Sequence, residues 1–454
     1  MKKTTTLQGK ASQLASILFP ILITQVGLYL MTFFDVMMSG QYSTEDVAGV
    51  SIGSSLWTPV YTGLSGILIG LTPIVSQLIG AGKGKNVSFS VIQAVYLSTF
   101  LALVLLLIGS FVLNPLLNSM GLEQPVREVA FDYLIGLAIG IVPLFIYNAL
   151  RSFIDALGQT KISMIITLLA LPVNIVLNYL LIFGKFGFPE LGGAGAGYAT
   201  AITYWIIAAV AFFIVKKVNP FHQYRVFHTF FRVSFKEWKA ILAIGVPIGL
   251  SIFFETSIFS AVTLLMSNYD TVTIASHQIA LNFASLLYMM PLSTAMALTI
   301  IVSFETGARR LKDAKQYGLI GIGLAVAAAI LSAAILFFCR DGIAGLYTKD
   351  SLVIAMSRHF LLYAIFFQVS DAIQAPIQGI LRGYKDVNVT FYMSLISYWI
   401  IGLPSGYYFA NYTDWGPYGY WLGLILGLAI GALTLGLRLI YIQKRMQKQQ
   451  SGAM

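Results

Sequence analysis

Three acidic residues stand where acids are costly: Asp35, Glu255 and Asp371. Each interrupts an apolar stretch long enough to cross a bilayer, which takes about 20 residues. Glu255 is the clearest case. It sits in Ser251-Ile252-Phe253-Phe254-Glu255-Thr256-Ser257-Ile258-Phe259, inside an apolar run from Ile241 to Met266. A charged side chain at the centre of a membrane helix costs about 2.5–3.5 kcal/mol on insertion scales, so it faces a partner or a water-filled cavity and marks a path for ions, protons or substrate. Two carboxylates in one low-dielectric bundle repel when both are ionised. They favour a proton or a hard cation with oxygen ligands, and Na⁺ is within reach of Glu255 and Asp371 on that ground. The alternative for each is a structural hydrogen bond at a helix contact. Asn174 and Asn178 lie four apart and share a helix face, with Pro172 just before them removing a backbone donor. Thr200 and Thr203 on the next apolar stretch could join them. Gln278, Asn282, Gln368 and Gln374 are polar groups at membrane depth. With Met289, Met290, Tyr363, Phe366 and Phe367 they could line a cavity for lipophilic cations, or simply glue helices together.

These residues need a membrane to make sense of them. The 454 residues are 57% hydrophobic and 10% charged, with mean hydropathy +0.81; a soluble domain carries about 25% charged residues. Hydropathy places spans at about 14–38, 48–79, 88–114, 128–150, 162–184, 195–215, 239–267, 274–304, 317–339, 354–380, 388–410 and 418–442. The polar start of the chain precedes an apolar run too long for a signal peptide, so that run reads as a retained first span. The single cysteine, Cys339, permits no intrachain disulfide.

Charge then sorts the loops. One set carries Lys2, Lys3 and Lys10; Lys83 and Lys85; Arg151 and Lys161; the run from Lys216 to Lys239; Arg309, Arg310, Lys312 and Lys315; Arg382 and Lys385; and Lys444, Arg445 and Lys448. The alternate loops hold Arg127, Lys185, Arg340 and Lys349 among more acids: Glu45, Asp46, Glu123, Glu190, Asp270, Asp341, Asp350 and Asp414. The positive-inside rule puts both termini and the basic loops in the cytoplasm. The net charge of +10 is therefore a topology signal and not a nucleic-acid footprint. Every basic residue maps to a span end or a loop, with Arg358, just inside a span, the nearest exception.

The chain also repeats. A shift of 227 residues lays Val47-Ala48-Gly49-Val50-Ser51-Ile52 on Ile274-Ala275-Ser276-His277-Gln278-Ile279, Ile74-Val75-Ser76 on Ile301-Val302-Ser303, and Pro20 on Pro247. One offset serving several spans predicts an all-α membrane protein with twelve transmembrane helices in two six-helix bundles, related by a pseudo-twofold axis along the membrane normal. The boundaries are 1–215 for the first lobe, 216–238 for a cytoplasmic linker and 239–454 for the second lobe. Paired bundles of this kind suit alternating access.

The motifs resemble those of the multidrug and toxic compound extrusion (MATE) family, in its NorM-like branch. The resemblance rests on Pro20-Ile21-Leu22-Ile23-Thr24-Gln25, Phe34-Asp35-Val36-Met37-Met38-Ser39-Gly40, Asp155-Ala156-Leu157-Gly158-Gln159-Thr160-Lys161, Phe254-Glu255-Thr256, His277-Gln278-Ile279-Ala280 and Gly379-Ile380-Leu381-Arg382-Gly383. It covers essentially the whole chain. Lys385-Asp386 departs from the Gly-Asp that the family more often has. The resemblance implies a cation site at Glu255 and Asp371 in the second lobe, and a proton or cation site at Asp35 with Asn174 and Asn178 in the first. It implies a secondary antiporter of the cell membrane that exports small cationic or amphipathic compounds against Na⁺ or H⁺.

No Walker sequence is visible, and Gly80-Ala81-Gly82-Lys83-Gly84-Lys85 lacks phosphate-loop spacing. Gly192-Gly193-Ala194-Gly195-Ala196-Gly197 opens a span with no strand before it. No nucleophile–base constellation is present, so an enzyme is not expected, nor a cofactor beyond the coupling ion. His277 is a lone histidine near a span end. A single chain already contains both lobes, so a monomer in lipid suffices. The rival is a lipid-linked precursor flippase of the same superfamily; its pyrophosphate would need a buried Lys or Arg in the cavity.

Overall fold

The computed structural model describes residues 3–347 and 349–451. Lys2 and the side chain of Asp341, both part of the charge pattern above, lie outside the described residues. The described chain is helical: α1 (Leu7–Tyr42), α2 (Thr44–Ile69), α3 (Leu71–Gly80), α4 (Val87–Ser119), α5 (Gln124–Ala138), α6 (Ile141–Ala156), α7 (Thr160–Phe183), α8 (Gly193–Lys217), α9 (Phe235–Met266), α10 (Thr271–Gly307), α11 (Leu311–Tyr347), α12 (Ser351–Gly383), α13 (Val387–Leu395), α14 (Leu403–Tyr412) and α15 (Tyr418–Ser451). A π-helical segment, Ile396–Gly402, joins α13 to α14. Among the described residues, eleven helical segments are long and apolar enough to cross a membrane, and the α5–α6 pair, bent by 51°, makes a twelfth if it is one span. Outward faces stay apolar: Leu103, Leu107, Ile108 and Phe111 of α4 are all exposed, as a lipid-facing helix requires.

The 227-residue repeat governs helix ends as well as sequence. It carries Thr44 onto Thr271 and Gly80 onto Gly307, so α2 and α3 together match α10. It carries Gln124 onto Ser351 and Ala156 onto Gly383, so α5 and α6 together match α12. It reaches single hydrogen bonds. Ser76 donates to the Ala156 carbonyl at 3.1 Å, and Ser303 donates to the Gly383 carbonyl at 3.3 Å. The N-caps correspond with roles exchanged. Ser43 accepts from the Asp46 amide, and Asp270 accepts from the Thr273 amide and hydroxyl. Those Thr273 donors hold the Asp270 carboxyl below its usual range. Gly158 takes a left-handed φ of 75°, and its counterpart Lys385 takes 61°. The departure from Gly-Asp therefore keeps the turn and places a side chain in it.

The halves differ where their helices break. The first half interrupts two of its spans, at Gly70 and between Ala138 and Ile141, where the second half runs straight through. The second half interrupts one, at the π segment, where α7 is continuous despite Pro172.

The chain forms two compact units: Met1–Phe19 with Leu250–Met454, and Pro20–Gly249. Their edges differ from the 1–215 and 239–454 division because each half lends the start of its first helix to the other unit. Lys10, only 2% exposed, pairs with Asp313 at 2.5 Å and also donates to Gln316. Its repeat counterpart is Glu237, which accepts from Ser90 at 2.7 Å. The segment between α8 and α9 belongs to the Pro20–Gly249 unit. Gln93 of α4 donates to the Arg232 carbonyl and accepts from the Ser234 amide, and Phe221 and Val226 are buried.

The glycine run at 192–197 has a packing role. A Cβ at Gly197 would run into the Tyr133 carbonyl oxygen of α5, and one at Gly195 into the Leu181 carbonyl of α7. Overpacking of this kind costs about 1–3 kcal/mol. Gly197→Ala is therefore expected to lower the thermal midpoint of the detergent-solubilised protein. An unchanged midpoint would mean that α5 and α8 can part without cost.

Candidate functional site

In the Pro20–Gly249 unit, α1 carries Asp35, α7 carries Asn174 and Asn178, and α8 carries Thr200. All four are buried, and they close a ring. Asn178 Nδ2 donates to Asp35 Oδ1 at 2.7 Å and to Asn174 Oδ1 at 3.3 Å. Asn174 Nδ2 donates to Thr200 Oγ1 at 3.0 Å, and Thr200 donates to Asp35 Oδ2 at 2.8 Å. Both carboxylate oxygens are thus met by neutral donors. The ring orients the acid without neutralising it, so a proton or a cation is the natural complement. Thr203 does not join; its hydroxyl bonds back to the Ala199 carbonyl.

Asp35 and Thr200 open onto a cavity of about 280 Å³, near the lower end for small-molecule sites. The α5–α6 bend shapes it, with Tyr133 and Leu137 before the break and Leu144, Tyr147 and Arg151 after it. Trp57 and Tyr61 of α2 stack at 5.7 Å on its wall. Arg151 corrects the expectation that every basic residue stays at a span end or loop. It lies five residues before the end of α6, is 9% exposed and lines the cavity. Hydropathy missed it because the bend turns this stretch inward.

In the other unit, Glu255 of α9 and Asp371 of α12 are 8% and 3% exposed. Tyr288 and Tyr398 each donate to Glu255 Oε1 at 3.4 Å. Gln374 donates to the Tyr398 hydroxyl at 2.7 Å. Tyr288 also lines, with Asp371 and Phe367, a cavity of about 10 Å³, room for one water-sized occupant. Tyr288 therefore sits between the two acids. Arg382, 5% exposed, donates to Gln378 at 3.2 Å and lies within electrostatic reach of Glu255. The π segment delivers Tyr398 to the site and lets Trp399 donate to the Phe254 carbonyl at 3.0 Å; such segments recur at functional sites. Sequence reasoning missed Tyr288 and Tyr398. One signal was available: Tyr288 is the repeat counterpart of Tyr61, which lines the first cavity.

The other proposed cavity residues take several positions, and Gln368 lines the small cavity beside Asp371. Phe367 lines the small cavity, where Met290 and not Met289 is its neighbour from α10. Tyr363 stacks on Tyr418 at 5.4 Å. Gln278 is exposed and donates to Asn282 at 3.4 Å. Gln368 donates to the Ala329 carbonyl. His277 is structural: Trp421 donates to its Nδ1 at 3.1 Å, which leaves Nε2–H for the Thr263 hydroxyl at 3.1 Å.

Known proteins match along the full length. A protein named probable multidrug resistance protein NorM from Bacillus licheniformis is 57% identical over 451 residues, 99% of this chain and 100% of that one. One of the same name from Bacillus subtilis is 55% identical over 450 residues, again 99% and 100%. Among solved structures, a eukaryotic MATE transporter superposes with TM-score 0.89 at 21% identity, over 99% of this chain and 100% of that one. An outward-facing multidrug resistance MATE transporter gives 0.88 at 19%, over 98% and 100%; at such identities the likeness shows the fold. The MatE family model matches residues 20–180 and 247–408, two copies whose starts lie 227 residues apart. With the buried acids and the doubled helical unit already in view, these matches establish that the chain belongs to the MatE family.

Proposed function

We propose that the protein is a secondary antiporter of the cell membrane, exporting cationic or amphipathic compounds in exchange for Na⁺ or H⁺ by alternating access. The observation that carries this reading is Asp35, a buried carboxylate held open to a cavity by neutral donors alone. The names of the Bacillus relatives support the multidrug part. Glu255 and Asp371 form the second cation site, with Tyr288 between them. Drug and coupling cation compete for these negative charges, so loading one releases the other. The basic loops and both termini face the cytoplasm. One net charge moving down 100 mV releases about 2.3 kcal/mol, enough for a roughly fifty-fold gradient of a neutral compound; a monocation exchanged one for one moves no net charge and draws on the ion's concentration gradient alone.

The buried Arg151 removes one argument against a flippase. It does not favour that reading, because Arg151 Nε lies 3.4 Å from Asp155 Oδ2 and a pyrophosphate needs more than one half-compensated arginine.

The test is ethidium efflux from energised vesicles with Na⁺ and pH gradients imposed separately. Efflux should follow at least one ion gradient and stop when that gradient is collapsed. Efflux that runs only down ethidium's own gradient would retire the antiport.

A further inference from the structure

The stretch between α8 and α9 presents apolar and basic side chains together. From Lys216 to Lys239 it holds six Lys or Arg residues and a single acid, Glu237, which is taken up by Ser90. Its backbone is pinned to α4. Gln93 bonds the Arg232 carbonyl and the Ser234 amide, and the Tyr96 hydroxyl donates to the Phe231 carbonyl at 3.1 Å. Phe231 packs on Phe89 at 5.3 Å. Its neighbours turn the other way: Phe230 is 90% exposed, Phe235 is 77% exposed, and Val233 is exposed between them. Arg232, Lys236 and Lys239 are exposed in the same stretch. A loop fixed this firmly cannot fold its apolar side chains away, so something outside the protein covers them.

The depth of the patch names the cover. The outward side of α4 is exposed and apolar at Phe100, Leu103, Leu107, Phe111 and Met120. From Phe100 to Met120 the helix rises about 30 Å at 1.5 Å per residue, the thickness of a bilayer's hydrocarbon core. Phe100 therefore marks the edge of that core on the side of the basic loops. Trp238 lies 5.4 Å from Phe100, and Phe235 lies 5.7 Å from Trp238. Phe230 lies 6.3 Å from Tyr96, about one turn further out. The patch thus continues the lipid-facing side of α4 into the headgroup layer, where aromatic side chains anchor membrane proteins. The repeat does not supply it, since the counterparts of Phe230, Val233 and Phe235 are Lys3, Thr6 and Gln8.

We infer that Phe230, Val233 and Phe235, with Arg232, Lys236 and Lys239, form a docking surface for anionic phospholipid in the leaflet on the basic-loop side. Lipid covers the phenyl rings, and the three cationic heads reach the headgroup phosphates on flexible stems. A zwitterionic headgroup brings its own cation and leaves the protein's charges uncompensated, so the surface selects a net negative one. Each Lys or Arg near an anionic surface contributes about fivefold in affinity. The surface does not depend on which compound is carried.

The experiment places a fluorophore beside the patch. Cys339 is the sole cysteine, and Thr229 is exposed next to Phe230. The full chain carrying Cys339→Ser and Thr229→Cys is labelled with bimane and placed in phosphatidylcholine nanodiscs. A doxyl quencher rides near the headgroup end of the acyl chain, on phosphatidylglycerol or on phosphatidylcholine at equal fraction. Quenching should be at least fivefold steeper with phosphatidylglycerol, and added salt should shrink that preference. Arg232→Gln, Lys236→Gln and Lys239→Gln together should bring the ratio of slopes close to one. Phe230→Ser with Phe235→Ser should at least halve quenching by both lipids. Equal slopes in the labelled parent would overturn the inference and leave ordinary lipid contact. No quenching by either lipid would overturn it too, and hand the patch to a protein partner. So would a ratio that the charge variant leaves unmoved, or quenching that the phenylalanine variant leaves unchanged. The parent's two slopes decide the matter even where a variant fails to fold.

Discussion

Asp35→Asn is expected to lower ion-driven ethidium efflux at least tenfold while leaving the protein folded. The substitution keeps the shape of the side chain and removes its charge. Asn178 and Thr200 lose a carboxylate acceptor, and the cavity loses the negative pole that attracts a cation. A hydrogen bond or contact to a charged group contributes about 1.5–3 kcal/mol, which corresponds to roughly 10–150-fold. Folding should survive, because neutralising a buried charge also relieves its desolvation. The measurement is initial efflux rate at matched protein density, with circular dichroism and elution profile as checks on the fold. An Asn variant that pumps within twofold of wild type would remove Asp35 from the mechanism and leave its hydrogen-bonded ring a structural clasp.

Glu255→Gln and Asp371→Asn should each weaken coupling-cation binding at least tenfold, and the double variant should be no worse than the poorer single one. Tyr288 donates to Glu255 and shares a one-occupant cavity with Asp371. On the proposed reading both acids serve one ion and act as a unit, so removing the second costs little once the first is gone. Retention of radioactive sodium by the purified protein reads this directly. Where no sodium is held, proton release on adding ethidium takes its place. Fully additive losses would show that the two acids serve separate ions.

Much of this architecture is legible without coordinates. The offset of 227 residues, seen in short apolar matches, fixes where the helices of the second half begin and end, because the same loop chemistry recurs at the same distance. The ring at Asp35 is legible for a related reason. Asn174 and Asn178 are four apart on one helix, and few polar groups are available at that depth to meet a buried acid. What stays hidden depends on bends. Arg151 reads as a span-end residue until the 51° break between α5 and α6 turns it into the cavity. Tyr398 reads as one aromatic among many until the π segment rotates it onto Glu255. Gln278 donates to Asn282 at 3.4 Å, a pairing that their spacing of four on one helix already allows. Hydropathy ranks residues by depth and cannot tell which side of a helix faces inward once the helix stops being regular.

The lent helix starts also set an order of events during synthesis. Pro20–Gly249 is one continuous stretch, so the ribosome has delivered all of that unit once Gly249 emerges. The other unit joins residues 1–19 to residues 250–454. Lys10 must wait for Asp313, its buried partner, and at roughly 5–20 residues per second that wait lasts about 15–60 s. Throughout it a lysine destined for the interior stays in water, holding the front of α1 outside the bundle it will complete. A nascent chain halted before residue 313 should therefore expose Lys10 to amine-reactive reagents that the finished protein excludes.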